Sequence, residues 1–111
     1  MEISFESAKL QRLCSSVSEL RRKFGQAGGD IVARRLQVLA SVDCLEDMRP
    51  LPGRCHELKG NRRGELSLDL KHPMRLIFVP TNDPPAVKKN GGIDWKSVTE
   101  IQVISVEDTH G

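Results

Sequence analysis

The sequence predicts an α+β fold in which two antiparallel N-terminal helices pack on a mostly antiparallel, twisted sheet. Three observations lead there. Apolar residues recur about every 3.6 positions from Leu10 to Val42, the period changes to two after Cys55, and 111 residues are enough for one core but not two. The whole chain, residues 1–111, therefore reads as a single domain.

Glu2 to Phe5 is a short opening strand, and the Ser7 hydroxyl can accept from a free backbone N–H to cap the helix after it. Leu10, Leu13, Cys14, Val17, Leu20 and Phe24 form one stripe along that helix. Arg21, Arg22 and Lys23 suit the negative end of its dipole, and Gly25 can take the left-handed conformation that stops it. Gly28-Gly29 then reads as a hinge, with Asp30 capping a second helix whose inner face is Val32, Leu36, Leu39 and Ala40 or Val42. Pro50 and Pro52 restrict Asp43 to Gly53 to a loop or a single helical turn.

Glu65 to Leu70 alternates without error, which points Leu66, Leu68 and Leu70 at a core and the polar set outward. His72-Pro73 makes a turn. Met74 to Val79 is apolar on both faces except at Arg75, as a central strand should be. Thr81 to Gly92, with two prolines and two glycines, is a mobile excursion within a hairpin. Val98 to Val106 is the last strand, with Ile101 and Val103 on one face and Ile104 and Val106 on the other; the same alternation puts Asp108 and His110 with Ile104 and Val106.

Composition narrows the function classes. With 38% hydrophobic and 29% charged residues the chain is neither disordered nor fibrous, and its longest apolar run, Leu76 to Val79, is far short of the roughly 20 residues of a membrane span. Glu2, Glu6, Lys9 and Arg12 occupy the stretch where a signal peptide would be apolar, so a cytoplasmic protein with no membrane partner is expected. Cys14, Cys44 and Cys55 are odd in number and lack C-x-x-C spacing, which suits reduced, part-buried thiols. Adjacent Cys55 and His56 point to opposite faces of a strand and make a poor zinc pair, so neither metal nor cofactor is expected. The net charge is only +2, yet cations concentrate in two segments, Lys9 to Arg35 and Arg54 to Arg75, where they form a basic face or an ordinary solvated surface.

Three anomalies mark where chemistry could sit. Arg75 is a charge inside the most apolar strand, so it must pair or line a wet cleft. His56, Lys59, Arg62 and Arg63 crowd a short strand and turn with Gly60 and Gly64, where backbone can bend closely around a ligand. Glu107-Asp108-Thr109-His110 follows directly on a strand. Cleavage of RNA by its own 2′-hydroxyl needs a base for that hydroxyl, an acid for the departing 5′-oxygen and cations for the charge growing on phosphate. These segments supply all of those types.

The segment Cys55-His56-Glu57-Leu58-Lys59-Gly60-Asn61-Arg62-Arg63-Gly64, the strand Met74-Arg75-Leu76-Ile77-Phe78 and the ending Glu107-Asp108-Thr109-His110 resemble the HigB branch of the RelE-like toxins. That family's pattern runs H-x-L-K-G-D-R-x-G, then aromatic-R-I-x-F, then D-Y-H. The resemblance implies a RelE-like fold and a ribosome-dependent mRNA interferase of a type II toxin–antitoxin system, cutting mRNA in the ribosomal A site without a metal. It also implies a helix-turn-helix, HigA-like antitoxin as partner, through which the toxin reaches operator DNA.

Carried over by position, His56, Lys59, Arg75, Asp108 and His110 match family active-site positions. His110, oriented by Asp108, would be general acid or base; Lys59 and Arg75 would hold the phosphate with help from Arg62 or Arg63; His56 would polarise the attack or position RNA. Spacing leaves open which imidazole accepts and which donates. Two positions depart from the pattern: Thr109 replaces the usual Tyr in a chain with no tyrosine, and Asn61 replaces Asp. Stacking on a base would then fall to a histidine, an arginine or Trp95. The departures keep a second reading open, a homologue that binds RNA or the ribosome, cleaves weakly or not at all, and serves mainly as the antitoxin's corepressor partner.

Overall fold

The computed structural model describes residues 1–109, and His110 and Gly111 lie outside them. It is an α+β structure of a helical layer on one mixed sheet. Strand β1 (Glu2–Phe5) is followed by helices α1 (Ala8–Cys14) and α2 (Val17–Ser41), then by β2 (His56–Glu57), β3 (Leu66–Asp69), β4 (Met74–Pro80) and β5 (Glu100–Asp108). Across the sheet the order is β1-β5-β4-β3-β2, with β1 parallel to β5 and every other pair antiparallel. The strand carrying Arg75 is thus the central one. Among the described residues no helix is long and apolar enough to cross a membrane.

The helical region differs from the expected pair in where it breaks. Ser7 does cap α1, its hydroxyl accepting from Leu10 N–H, but the apolar stripe runs through an interruption at Ser15-Ser16, where Ser16 caps α2 by accepting from Glu19 N–H. Gly25 takes the expected left-handed conformation, φ 79°, and α2 changes direction there. The expected hinge at Gly28-Gly29 is helical instead, and Asp30 is no cap: it lies inside α2 and accepts from Arg21 Nε at 2.7 Å. Both glycines are buried. A Cβ on Gly29 would stand only 2.6 Å from Arg21 N, so this glycine exists for close approach of two helical segments rather than for bending. The inner face of the second segment is Val32, Leu36 and Leu39 as expected, with Val42 half-buried against the core and Ala40 exposed.

These side chains pack on Leu66, Leu68, Leu76, Phe78, Ile101 and Val103 of the sheet, all buried. Leu45–Met48 forms the single helical turn expected between Asp43 and Gly53, with Leu45 and Met48 fully buried. The Thr81 to Gly92 excursion is tied at its base by Asn82, which accepts from the N–H groups of Thr99 and Glu100.

Strand β5 corrects the predicted alternation. Ile77 pairs with Ser105 and Phe78 with Val103, leaving Ile104 as an extra residue, a β-bulge. Val106, register partner of Leu76, therefore faces the helices together with Val103, while Ser105 and Glu107 face the other way.

Gly29→Ala is expected to destabilise the fold by about 1–3 kcal/mol, because the clash is with backbone that cannot rotate away. Urea melts of Gly29→Ala beside wild type check this; equal midpoints would show that the segments do not meet there.

Candidate functional site

The side of the sheet away from the helices is organised by registered rows. One row is Asp69, Arg75 and Glu107 on β3, β4 and β5; the next is His56, Ser67, Ile77 and Ser105 on β2 to β5. Opposite charges thus stand side by side across the three central strands, the favourable cross-strand arrangement. The Arg75 side chain is 12% exposed and donates to Asp69 Oδ1 at 2.8 Å. It pairs, and it also lines a cavity, so both ways of accommodating a charge in that strand are used.

The connection from β2 to β3 folds over this face. Gly60 and Gly64 hold the left-handed φ values of 67° and 96° that the tight path requires. Between them Arg62 donates from Nε to Glu65 at 2.8 Å and from Nη1 to Glu107 at 2.5 Å, reaching past β3 and β4 to β5. This double pairing, with Glu107 the larger influence, raises the Arg62 guanidinium above its ordinary range. It holds the Glu107 carboxyl below the usual carboxylate range, with a further hydrogen bond from Ser105 Oγ.

His56 Nδ1 lies 2.8 Å from the Arg54 carbonyl oxygen. A carbonyl only accepts, so Nδ1 carries a proton, and in the neutral tautomer this contact selects, the lone pair that can accept a proton is on Nε2.

These groups surround one open cavity of about 410 Å³. Of the residues singled out in the sequence, His56, Lys59, Arg62, Arg75 and Thr109 line it, joined by Arg54, Leu58 and Asn61. Arg63 is exposed and outside the lining. Asp108, register partner of Met74, follows Val106 onto the opposite side of β5 and does not line the cavity; Glu107 is on the cavity's side of the sheet, behind Arg62, and does not line it either. His110 is outside the described residues. Trp95 is unsuited to stacking on a base: it is 4% exposed, its indole N–H donates to Glu57 at 2.9 Å, and the Arg49 guanidinium covers its ring at 3.8 Å. Ser67, expected to face solvent, is fully buried because the β2–β3 connection folds over its side of the sheet, and its hydroxyl has no hydrogen bond among the described residues.

Sequence reasoning missed Arg54 and Asp69, and it quoted Glu107 within the third segment without giving it a role. The roles of Asp69 and Glu107 were concealed because a polar residue alternating on a strand looks like solvated surface. Arg54 precedes the motif, and only its backbone (φ 50°, rare for a residue with a side chain) sets it apart.

The cysteines take no part. Each is unpaired and half-buried, and burial pushes the Cys14 thiol up to about 11 and that of Cys55 up to about 12, so both stay protonated and poorly nucleophilic at neutral pH. No cluster of three or more His, Cys, Asp or Glu suited to a metal occurs among the described residues. A larger cavity of about 750 Å³ lies on the helix side, with Leu10, Leu13, Ile104 and Val106 in its wall and Lys9, Arg12, Arg22 and Lys23 among its cations.

Because the folded Glu107 carboxyl titrates lower than in the unfolded chain, its stabilisation is fully present above the unfolded value of about 4.3 and disappears as pH falls through the folded value. Glu107→Gln is therefore expected to flatten the acid limb of stability, measured by urea melts from about pH 5 downward. Parallel limbs for variant and wild type would mean the pair with Arg62 does not form.

No protein-family model and no curated protein matches the chain.

Proposed function

We propose that this chain is a HigB-type toxin of the RelE-like superfamily. In this reading it is a ribosome-dependent mRNA interferase that cleaves mRNA in the ribosomal A site by attack of a 2′-hydroxyl, without a metal. It acts in the cytoplasm and is held inactive by a helix-turn-helix antitoxin, through which it reaches operator DNA. The observation that carries this is the meeting of three segments far apart in sequence: His56, Lys59 and Arg62 of the glycine-flanked connection, Arg75 of the central strand, and Thr109 line one basic cavity. The same segments carry the sequence resemblance.

The geometry supports a division of labour. Nε2 of His56 takes the proton of the 2′-hydroxyl; the 2′-oxygen bonds to phosphorus while the bond from phosphorus to the 5′-oxygen breaks. That oxygen leaves with a proton from a second acid, the place the resemblance gives to His110; the orienting role it gives to Asp108 is not carried by the register, which turns Asp108 to the other side of β5. The products are a 2′,3′-cyclic phosphate and a 5′-hydroxyl. Lys59 and Arg75 stabilise the charge that gathers on the non-bridging oxygens, and Arg62, tied to two carboxylates, fixes the wall in which Lys59 sits.

Thr109 favours the second reading. It stands in the cavity wall where the family carries a phenol, and its hydroxyl neither stacks on a base nor titrates near neutrality. A chain that docks on the ribosome without cutting would serve mainly as the antitoxin's corepressor partner.

Toeprinting of programmed ribosomes separates the two. The expected result is cleavage at the A-site codon by wild type, lowered about 10²–10³-fold in Lys59→Ala or Arg75→Ala and about 10²–10⁴-fold in His56→Ala. Ribosomes bound but left intact would support the second reading. Cleavage that survives loss of His56, Lys59 and Arg75 together would contradict this site.

A further inference from the structure

Arg54 and Asp69 belong to neither the motif nor the division of labour above, yet both are held by several contacts on the open face. Asp69 uses its two carboxylate oxygens separately: Oδ2 accepts from Arg54 Nε at 3.1 Å, and Oδ1 accepts from Arg75 at 2.8 Å. Its backbone is fixed on both sides as well, the N–H donating to the Gly53 carbonyl at 2.7 Å and the carbonyl accepting from Arg35 Nε at 3.1 Å. The segment that brings Arg54 there follows an unusual path. Gly53 has φ 111°, a Cβ on it would stand 2.6 Å from Leu68 Cδ1, and Arg54 itself holds φ 50°. A residue with a side chain keeps such a backbone only where its surroundings impose it, and such positions gather at functional sites. The Arg54 side chain is nonetheless 65% exposed, so burial of its own surface does not explain the conformation. Only its Nε is engaged among the described residues, and the forward edge of the guanidinium remains at the cavity wall.

We propose that Arg54 is a phosphate-binding residue of this cavity and that Asp69 is its positioning residue, holding Arg54 and Arg75 at a fixed separation so that both meet the backbone of a single-stranded RNA. The ligand class follows from the chemistry. The Arg54 guanidinium, held by a carboxylate at Nε and 65% exposed, has its two terminal nitrogens to offer, and such N–H donors match the oxygens of a phosphodiester. This rests on the proposed function and adds a contact and an organiser to it.

The sign of one substitution distinguishes positioning from simple charge. Asp69→Asn removes a negative charge beside two arginines, so if Asp69 only offsets charge, RNA should bind more tightly. If Asp69 positions them, binding weakens although the site has become more positive. The measurement is fluorescence anisotropy with a short single-stranded RNA carrying 2′-O-methyl groups, which cannot be cut, titrated over a salt series. Asp69→Asn is expected to bind several-fold more weakly than wild type. Arg54→Met, which alters an exposed side chain and leaves the core intact, is expected to lose about tenfold in affinity. Its slope of log K against log salt should become shallower by about 0.7, the share of one phosphate contact on a single strand. Tighter binding by Asp69→Asn, or an unchanged slope in Arg54→Met while wild type binds, would overturn the clamp and leave the proposed function standing. A wild-type protein with no salt-dependent binding would also overturn the clamp, whereas failure of the proposed function reads separately, as ribosomes neither bound nor cleaved in the toeprint.

Discussion

The row Asp69, Arg75, Glu107 across the three central strands is the constraint on which the open face depends. Arg75 sits in the middle strand with little exposure, and an uncompensated guanidinium there would cost several kcal/mol. Its registered neighbours are carboxylates on both sides, and each of these in turn holds a further arginine, Arg54 on Asp69 and Arg62 on Glu107. Cations and anions therefore alternate from one side of the face to the other. That pattern lets many charges share a small area without mutual repulsion. It also fixes where two loops lie, since Arg54 and Arg62 belong to the segments before and after β2.

The bulge at Ile104 is what makes the row possible. A strand of strict alternation running from Ile101 and Val103 to the end would put Val106 and Glu107 on the wrong faces, with an aliphatic side chain beside Ile77 and a carboxylate among the core leucines. One inserted residue restores Val106 to the helices and delivers Glu107 to Arg75. The core and the site thus impose different phases on one strand, and the bulge reconciles them. It re-aims Glu107, as bulges commonly re-aim side chains.

Much of the fold was legible in the sequence wherever a local rule decides the outcome. The opening strand, the Ser7 cap, the left-handed Gly25, the helical turn at Leu45–Met48 and the central placement of the Arg75 strand all follow from propensity and period. What escaped were features set by contacts distant in sequence. Gly28-Gly29 resembles a hinge by composition, and only the approach of Leu20 and Arg21 reveals that a side chain would not fit. The bulge leaves no mark on an alternation pattern because either phase of β5 is apolar. In the site, the cationic motif and Arg75 could be read directly, whereas Asp69 and Glu107 gain their meaning only from the strands beside them, and Trp95 looked available until its burial under Arg49 was seen.

Single-stranded RNA is proposed to engage the open sheet face. Amide chemical shifts followed by NMR during titration with a short, non-cleavable RNA test it most directly. Binding as described moves the resonances of residues 54–62, Arg75 and Glu107 to Thr109 while those of α1 stay in place. Shifts confined to the helix-side cavity around Leu10 and Leu13, or no shifts at all, would contradict it.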